Sequence, residues 1–217
     1  MTDPPAPATV TTPDECVRFV DAVGLCAWRP GTELRSLEDV TPWGERTMLG
    51  TWFWKDDLHL ERRVCYGQLW NAGNPVFVSR ALLPALIAAQ GDIDPDDLYE
   101  QGRLSRVARE LYRHIDRNGP TPKNRLPYPP RTSQTPPLVQ LQQTFLLTKT
   151  GLTGRTRGTY GYVWGKADAF WPEAFAAAAA LPVAQARQAV IAVLQRGNPT
   201  LSAARIARAL RWPGDAS

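Results

Sequence analysis

Between Phe145 and Lys166 the chain reads FLLTKTGLTGRTRGTYGYVWGK, and this stretch limits the fold more than any other. Phe145 and Leu147, then Tyr160, Tyr162 and Trp164, alternate as strand residues do. The glycines of GLTGRTRG permit a tight turn, with Arg155 and Arg157 at its tip. Strand, basic turn and strand make a β-hairpin. Two readings of the arginines stand side by side. They reach phosphates or the minor groove of a nucleic acid, or they keep an exposed edge strand from pairing with another chain.

The segments before the hairpin give it a context. Leu104, Val107, Ala108, Leu111, Tyr112 and Ile115 form one apolar helical stripe, with Arg103, Arg106, Arg113 and Arg117 on the other face and Asn118-Gly119-Pro120 as a stop. Thr121 can cap a short second helix through Leu126. Pro127–Pro137 is too proline-rich for regular structure, and LVQLQQ after it suits about two helical turns. Helix, short helix, helix, strand, basic turn, strand is the order of a winged helix-turn-helix. The usual turn of three or four residues is replaced here by the proline-rich segment. Gln140, Gln142 and Gln143 then fall on the recognition helix, where glutamine can pair bidentately with adenine, or on the polar side of a helix packed against the hairpin. Lys123, Arg125 and Arg131 flank this helix and suit phosphates. Lys149, Arg155, Arg157 and Lys166 complete the expected DNA contacts.

Charge supports the same direction. The net charge of +4 is the balance of two unlike halves. Residues 1–101 carry 8 basic and 16 acidic side chains, whereas residues 102–217 carry 17 and 5. A sharply basic half points to a polyanion, here double-stranded DNA; the plainer reading is a solvated basic face. The acidic half is a candidate surface for a protein partner.

These features predict a mainly α protein with small β-hairpins, an α+β chain of tandem winged helix-turn-helix units. Residues 1–12, rich in Pro and Thr, read as a disordered lead-in. Residues 13–101 read as an acidic winged-helix-like unit, opened by Thr12-Pro13-Asp14-Glu15, a capping-box helix start. Residues 102–170 are the basic DNA-binding unit. Residues 171–217 read as a C-terminal helix-turn-helix, with Ala203, Ile206, Ala207 and Leu210 inward and Arg205, Arg208 and Arg211 elsewhere. TWFWKDDLHLERRVCYGQLW fits either a short helix or a strand, and NPVFVS fits a strand. Cys16, Cys26 and Cys65 form no C-x-x-C pair, and His59 and His114 do not complete a zinc set. No cofactor or metal is expected. No apolar run reaches membrane-span length and no secretory signal is visible, so a cytoplasmic location is expected, nucleoid-associated if the source is bacterial.

FVDAVGLCAW, WFWKDDL, ELYRHIDRNGPTPKNRL and LVQLQQTFLLTKTG together resemble the AlkZ-like (YcaQ-type) DNA glycosylases, and more closely a shorter set of AlkZ-related proteins of unassigned activity. The resemblance implies tandem winged helices and removal of alkylated or crosslinked purines from DNA. In that family a Gln-x-Gln or Gln-x-Asp pair follows the Gly-Leu of the first unit. Here Gly24-Leu25 is followed by Cys26-Ala27-Trp28-Arg29, and neither glutamine is present. The Gln140-Leu141-Gln142 triplet lies on the expected recognition helix, so catalytic residues are not carried over.

Excising a base requires groups that stabilise charge growing on the sugar and position water, together with aromatic faces for an extruded base. Trp52, Phe53, Trp54, Lys55, Asp56 and Asp57 supply such groups within six positions. Lys55 can act as a nucleophile when desolvated, and Asp56 or Asp57 can orient water. The alternative is tryptophans in a core with charges at a solvated helix end. His59 and Glu61 would share a strand face, and Trp28 and Trp43 read as packing residues. The expected function is duplex DNA binding in a repair setting. A winged-helix transcriptional regulator and a non-catalytic protein-interaction module are the alternatives.

Overall fold

The computed structural model describes residues 7–42, 45–71, 73–91, 93–130 and 133–213, with the backbone alone at 45–51. Trp43 and Arg131 lie outside the described residues. The chain runs α1 (Pro13–Val23), β1 (Leu25–Ala27), a 3-10 turn (Glu38–Val40), α2 (Glu45–Leu60), β2 (Val64–Trp70) and β3 (Asn74–Ser79). Helices α3 (Leu83–Ala89) and α4 (Pro95–Glu100) follow. The first order then repeats as α5 (Arg106–Asn118), β4 (Thr121–Pro122), a 3-10 turn (Lys123–Arg125), α6 (Thr135–Gln143), β5 (Leu147–Gly154) and β6 (Gly161–Lys166). Helices α7 (Ala167–Phe170), α8 (Pro172–Ala179), α9 (Val183–Gly197) and α10 (Ala203–Leu210) close the chain. Both sheets are antiparallel with their last strand in the middle, β1-β3-β2 and β4-β6-β5. The protein is thus α+β, with ten α-helices and two three-stranded sheets among the described residues.

Local chemistry explains the boundaries. The Thr12 side chain accepts from Glu15 N at 3.2 Å while the Glu15 carboxylate accepts from Thr12 N at 3.1 Å, so the capping box closes. Cys16, Phe19, Val20 and Val23 form the buried stripe of α1. Gly24 ends it at φ +76, where a Cβ would lie 2.3 Å from Val193 Cγ1 of α9. The undecided aromatic stretch divides into both alternatives: α2 runs to Leu60, Arg62 turns the chain at φ +59, and β2 begins at Val64. Thr121 opens a two-residue strand and a 3-10 turn rather than the expected short helix.

The first sheet is buried on both faces. Leu25, Ala27, Cys65, Val76 and Val78 face a cluster that includes Leu83, Val190, Leu194, Ile206 and Leu210. The alternate residues Cys26, Val64, Tyr66 and Phe77 face Phe19, Val20 and Leu58. Full burial of one such side chain contributes about 1.5–3 kcal/mol. The helices after Trp171 therefore share the core of the first sheet. Asn198 Oδ1 accepts from Arg35 N at 2.6 Å, Ala209 O accepts from Asn71 N at 2.9 Å, and Arg205 pairs with Glu33. A separate core joins Leu111, Ile115, Leu138, Leu141, Leu147 and Trp164 of the second repeat.

The two repeats exchange surfaces. Helix α6 packs on β2, and α2 packs on β5. Gln68 N donates to Gln142 Oε1 at 3.0 Å, and Val139 approaches the β2–β3 turn so closely that a Cβ on Gly73 would meet it at 3.0 Å. Each repeat thus lays its strand pair against the second α-helix of the other. No single helix among the described residues is long and apolar enough to cross a membrane.

Candidate nucleic-acid interface

The hairpin begins with Phe145 in the left-handed region at φ +55 rather than in a strand, and β5 and β6 then pair from Leu147↔Lys166 to Gly154↔Gly161. The tip at 155–160 is closed by Thr159 N and Tyr160 N donating to Thr156 O, and by Gly158 at φ +95. Arg155 and Arg157 are exposed there. Arg155 pairs with Asp57 of α2, is half exposed, and lies 5.2 Å from the Phe53 ring centroid. Arg157 makes no ion pair or hydrogen bond among the described residues. Beside them Trp52 keeps 40% of its surface exposed, edge-on to Trp28 and 6.5 Å from the Tyr160 ring.

The inner face of the hairpin is polar and buried. Strand alternation puts Tyr160 and Tyr162 on the side facing α2. Lys55 Nζ donates to Asp56 Oδ2 and to Tyr160 OH, both at 2.7 Å. Tyr160 OH donates to the same Asp56 oxygen at 2.7 Å, and Tyr162 OH lies 3.0 Å from Asp56 Oδ1. Lys55 and Asp56 are 3% and 2% exposed. Burial lowers the Lys55 pKa, and Asp56 opposes that shift. Burial and Asp56 raise the Tyr162 hydroxyl well above its usual range. Lys149, read from sequence as a DNA contact, is buried here with Nζ 4.1 Å from the Tyr66 ring centroid and 4.4 Å from that of Tyr162. Burial pulls its ammonium down to about 7.

His59 joins the two repeats. Its Nδ1 accepts from Tyr66 N at 3.0 Å, so the proton sits on Nε2, which donates to Lys149 O at 2.8 Å. Burial, then the nearby Lys149, pulls it down to about 3, so the ring is neutral near pH 7. The space bounded by Asp56, His59, Lys149 and Tyr162 has no room for a water molecule. Lys55 and Asp56 thus sit in a paired, filled network rather than in a cleft, while Asp57 stands outside it with Arg155. The Tyr-x-Tyr spacing carried the signal for the tyrosine face. The alternation of Phe145 and Leu147 runs on to Lys149, whose register with Leu147 is regular, but its charge read as a DNA contact.

The remaining residues distribute differently. Lys123 is half-buried and Arg125 exposed on the 3-10 turn that touches β6. Lys166, at the far end of β6, donates to Asp116 at 2.9 Å, which raises its pKa. Gln140 Oε1 accepts from Ser105 N and Oγ at 3.1 and 2.8 Å. Gln142 also donates to Leu138 O at 3.2 Å, and Gln143 is buried with both amide atoms unpartnered. None of Cys26, Ala27 and Trp28, where the family resemblance implies catalysis, offers an amide or carboxylate side chain. They lie buried in or beside β1, with the Cys26 thiol pushed well above its usual range by burial. Among the described residues no three His, Cys, Asp or Glu side chains gather to hold a metal ion.

Fold and site together define an α+β protein of two interlocked repeats, with an exposed basic hairpin tip beside a half-open aromatic patch. The chain belongs to the AlkZ-related family, which matches residues 10–211. No curated protein and no solved structure matches it significantly.

Proposed function

We propose that the two repeats, within residues 13–101 and 102–170, are winged-helix units, and that the protein binds duplex DNA in a repair setting through the tip of its second wing. One observation carries this reading: the hairpin tip presents Arg157 and a half-exposed Arg155 on a base locked to α2 by Lys55, Asp56, Tyr160 and Tyr162. A wing held at its base enters a groove without first being ordered, and its guanidiniums meet phosphates or the minor groove. Trp52 beside it offers a face on which an unstacked base can rest.

The structure also weighs against the regulator. Reading base edges in the major groove requires a helix with a free face, and α6 is buried over 137–139 and 141–143 against β2 and its own core. Contacts therefore fall on backbone and groove shape, which suits damaged DNA of any sequence.

The test is a salt titration on a mixed-sequence duplex. Loss of two phosphate contacts in Arg155→Ala/Arg157→Ala should reduce the slope of log K against log salt by about 1.8. An unchanged slope removes the wing from the interface. A parallel incubation with alkylated duplex, followed by alkaline cleavage, asks whether bases leave. Strand breaks that persist in wild type but vanish in the Asp57→Ala variant would restore chemistry to this chain.

A further inference from the structure

A cavity lies away from the wing, where the end of α6, the α4–α5 link and α10 converge. It has a volume of about 520 Å³, within the range of small-molecule sites. Gln143 lines it. The residue is 4% exposed, and neither its amide oxygen nor its amide nitrogen has a partner. Buried amides left so are rare, since each unsatisfied group costs about 1–3 kcal/mol. The Trp212 indole N–H, on another wall, is equally buried and unpartnered.

The walls are also one-signed. Arg103, Arg208 and Arg211 line the cavity, and no carboxylate does among the described residues. Arg103 is held by Gln90 Oε1 at 2.7 Å. Burial, then the neighbouring Arg187, lowers its pKa. Arg208 and Arg211 project from the end of α10 and are exposed. The site thus offers an amide that both donates and accepts, an indole donor, and a pair of guanidiniums suited to a phosphate.

We propose that this cavity binds a purine nucleotide, its base edge meeting the Gln143 amide and its phosphate meeting Arg208 and Arg211. An amide pairs bidentately with an adenine edge, and the Gln143 amide has both its donor and its acceptor free. The ligand has two sources, a free mononucleotide or a nucleotide turned out of a DNA strand. The assignment does not depend on DNA binding by the wing.

Calorimetry with adenosine and guanosine monophosphates, and with ribose 5-phosphate as a base-less control, tests the first source. A duplex carrying 2-aminopurine, whose fluorescence rises when it leaves the stack, tests the second. Binding of the nucleotides but not of ribose 5-phosphate, or a fluorescence rise, is expected. Gln143→Leu and, separately, Arg208→Ala/Arg211→Ala should weaken either signal about tenfold or more. Gln143→Leu should leave stability unchanged or raised, because it removes an unsatisfied buried amide. Its effect therefore separates a binding residue from a structural one. Neither source binding at about 1 mM, or binding that both variants leave intact, overturns the proposal and leaves a water-filled cavity. Arg155→Ala/Arg157→Ala should not change mononucleotide binding, so failure here and failure of the wing are separable.

Discussion

Replacing Asp56 with alanine removes the acceptor of three buried hydrogen-bonding groups at once: the Lys55 ammonium and the Tyr160 and Tyr162 hydroxyls. Lys55 keeps one bond, to Tyr160, but loses its countercharge while 3% exposed. Breaking a buried pair by deleting one partner costs about 3–5 kcal/mol. For a domain of this size that lowers the melting temperature by roughly 6–20 °C. The double variant Lys55→Met/Asp56→Leu removes the Lys55 charge together with its partner and should recover part of the loss, the remainder falling on the buried Lys149 that Asp56 also supports. Urea denaturation of wild type and the single and double variants measures each value, and hydrogen exchange over 147–166 locates the opening. A loss under about 1 kcal/mol for Asp56→Ala, or a double variant no better than the single, would refute the lock. A stable Asp56→Ala variant with unchanged exchange in the hairpin would show that the hairpin needs no anchor on α2.

Lys149 gives a prediction of opposite sign. Its ammonium falls from an ordinary 10.5 to about 7 in the fold, so the unfolded chain holds more protons between those values. Stability therefore rises with pH across that window. Lys149→Met should raise the urea midpoint near pH 7, with the gain shrinking toward pH 10. His59 drops from 6.5 to about 3, so acid should destabilise the protein between those values by up to about 1.4 kcal/mol per pH unit. His59→Gln should flatten that limb in a pH series of melting temperatures. Gly24→Ala places a Cβ against Val193 at positive φ and should cost about 1–3 kcal/mol, read from the same denaturation curves.

Much of the frame was legible because it is written locally. The capping box at Thr12–Glu15, the strand Asn74–Ser79 and the stripe on α5 are each set by neighbours within a few positions, and the turn read over 151–158 is narrowed by β5, which runs on to Gly154. Strand β2 was not separated from α2, because a strand buried on both faces loses the polar alternation that marks one. The interior site was harder. Lys55 and Asp56 were visible as residue types, but their meaning depends on Tyr160 and Tyr162, more than a hundred positions away. Lys149 and Gln142 read as surface groups from composition alone. Packing between the repeats turned them inward, and no periodicity within either repeat records that contact.

That packing constrains the DNA-binding mode proposed above. A free winged helix offers its third helix to the major groove and its wing to the flank. Here α2 is covered by the second hairpin and α6 by the first, and the covering is held by His59–Lys149 on one side and Gln142–Gln68 on the other. Exposing either helix to DNA would strand Asp56, Lys55 and Gln142 without partners, a loss of several kcal/mol that base contacts of about 1–3 kcal/mol each would have to exceed. On the function proposed above, the duplex is met at the tip, by Arg155, Arg157 and Trp52, while the interlocked helices hold that tip in place. Affinity on this arrangement follows phosphate charge and the ease of unstacking a base, so it should depend on salt and damage far more than on sequence.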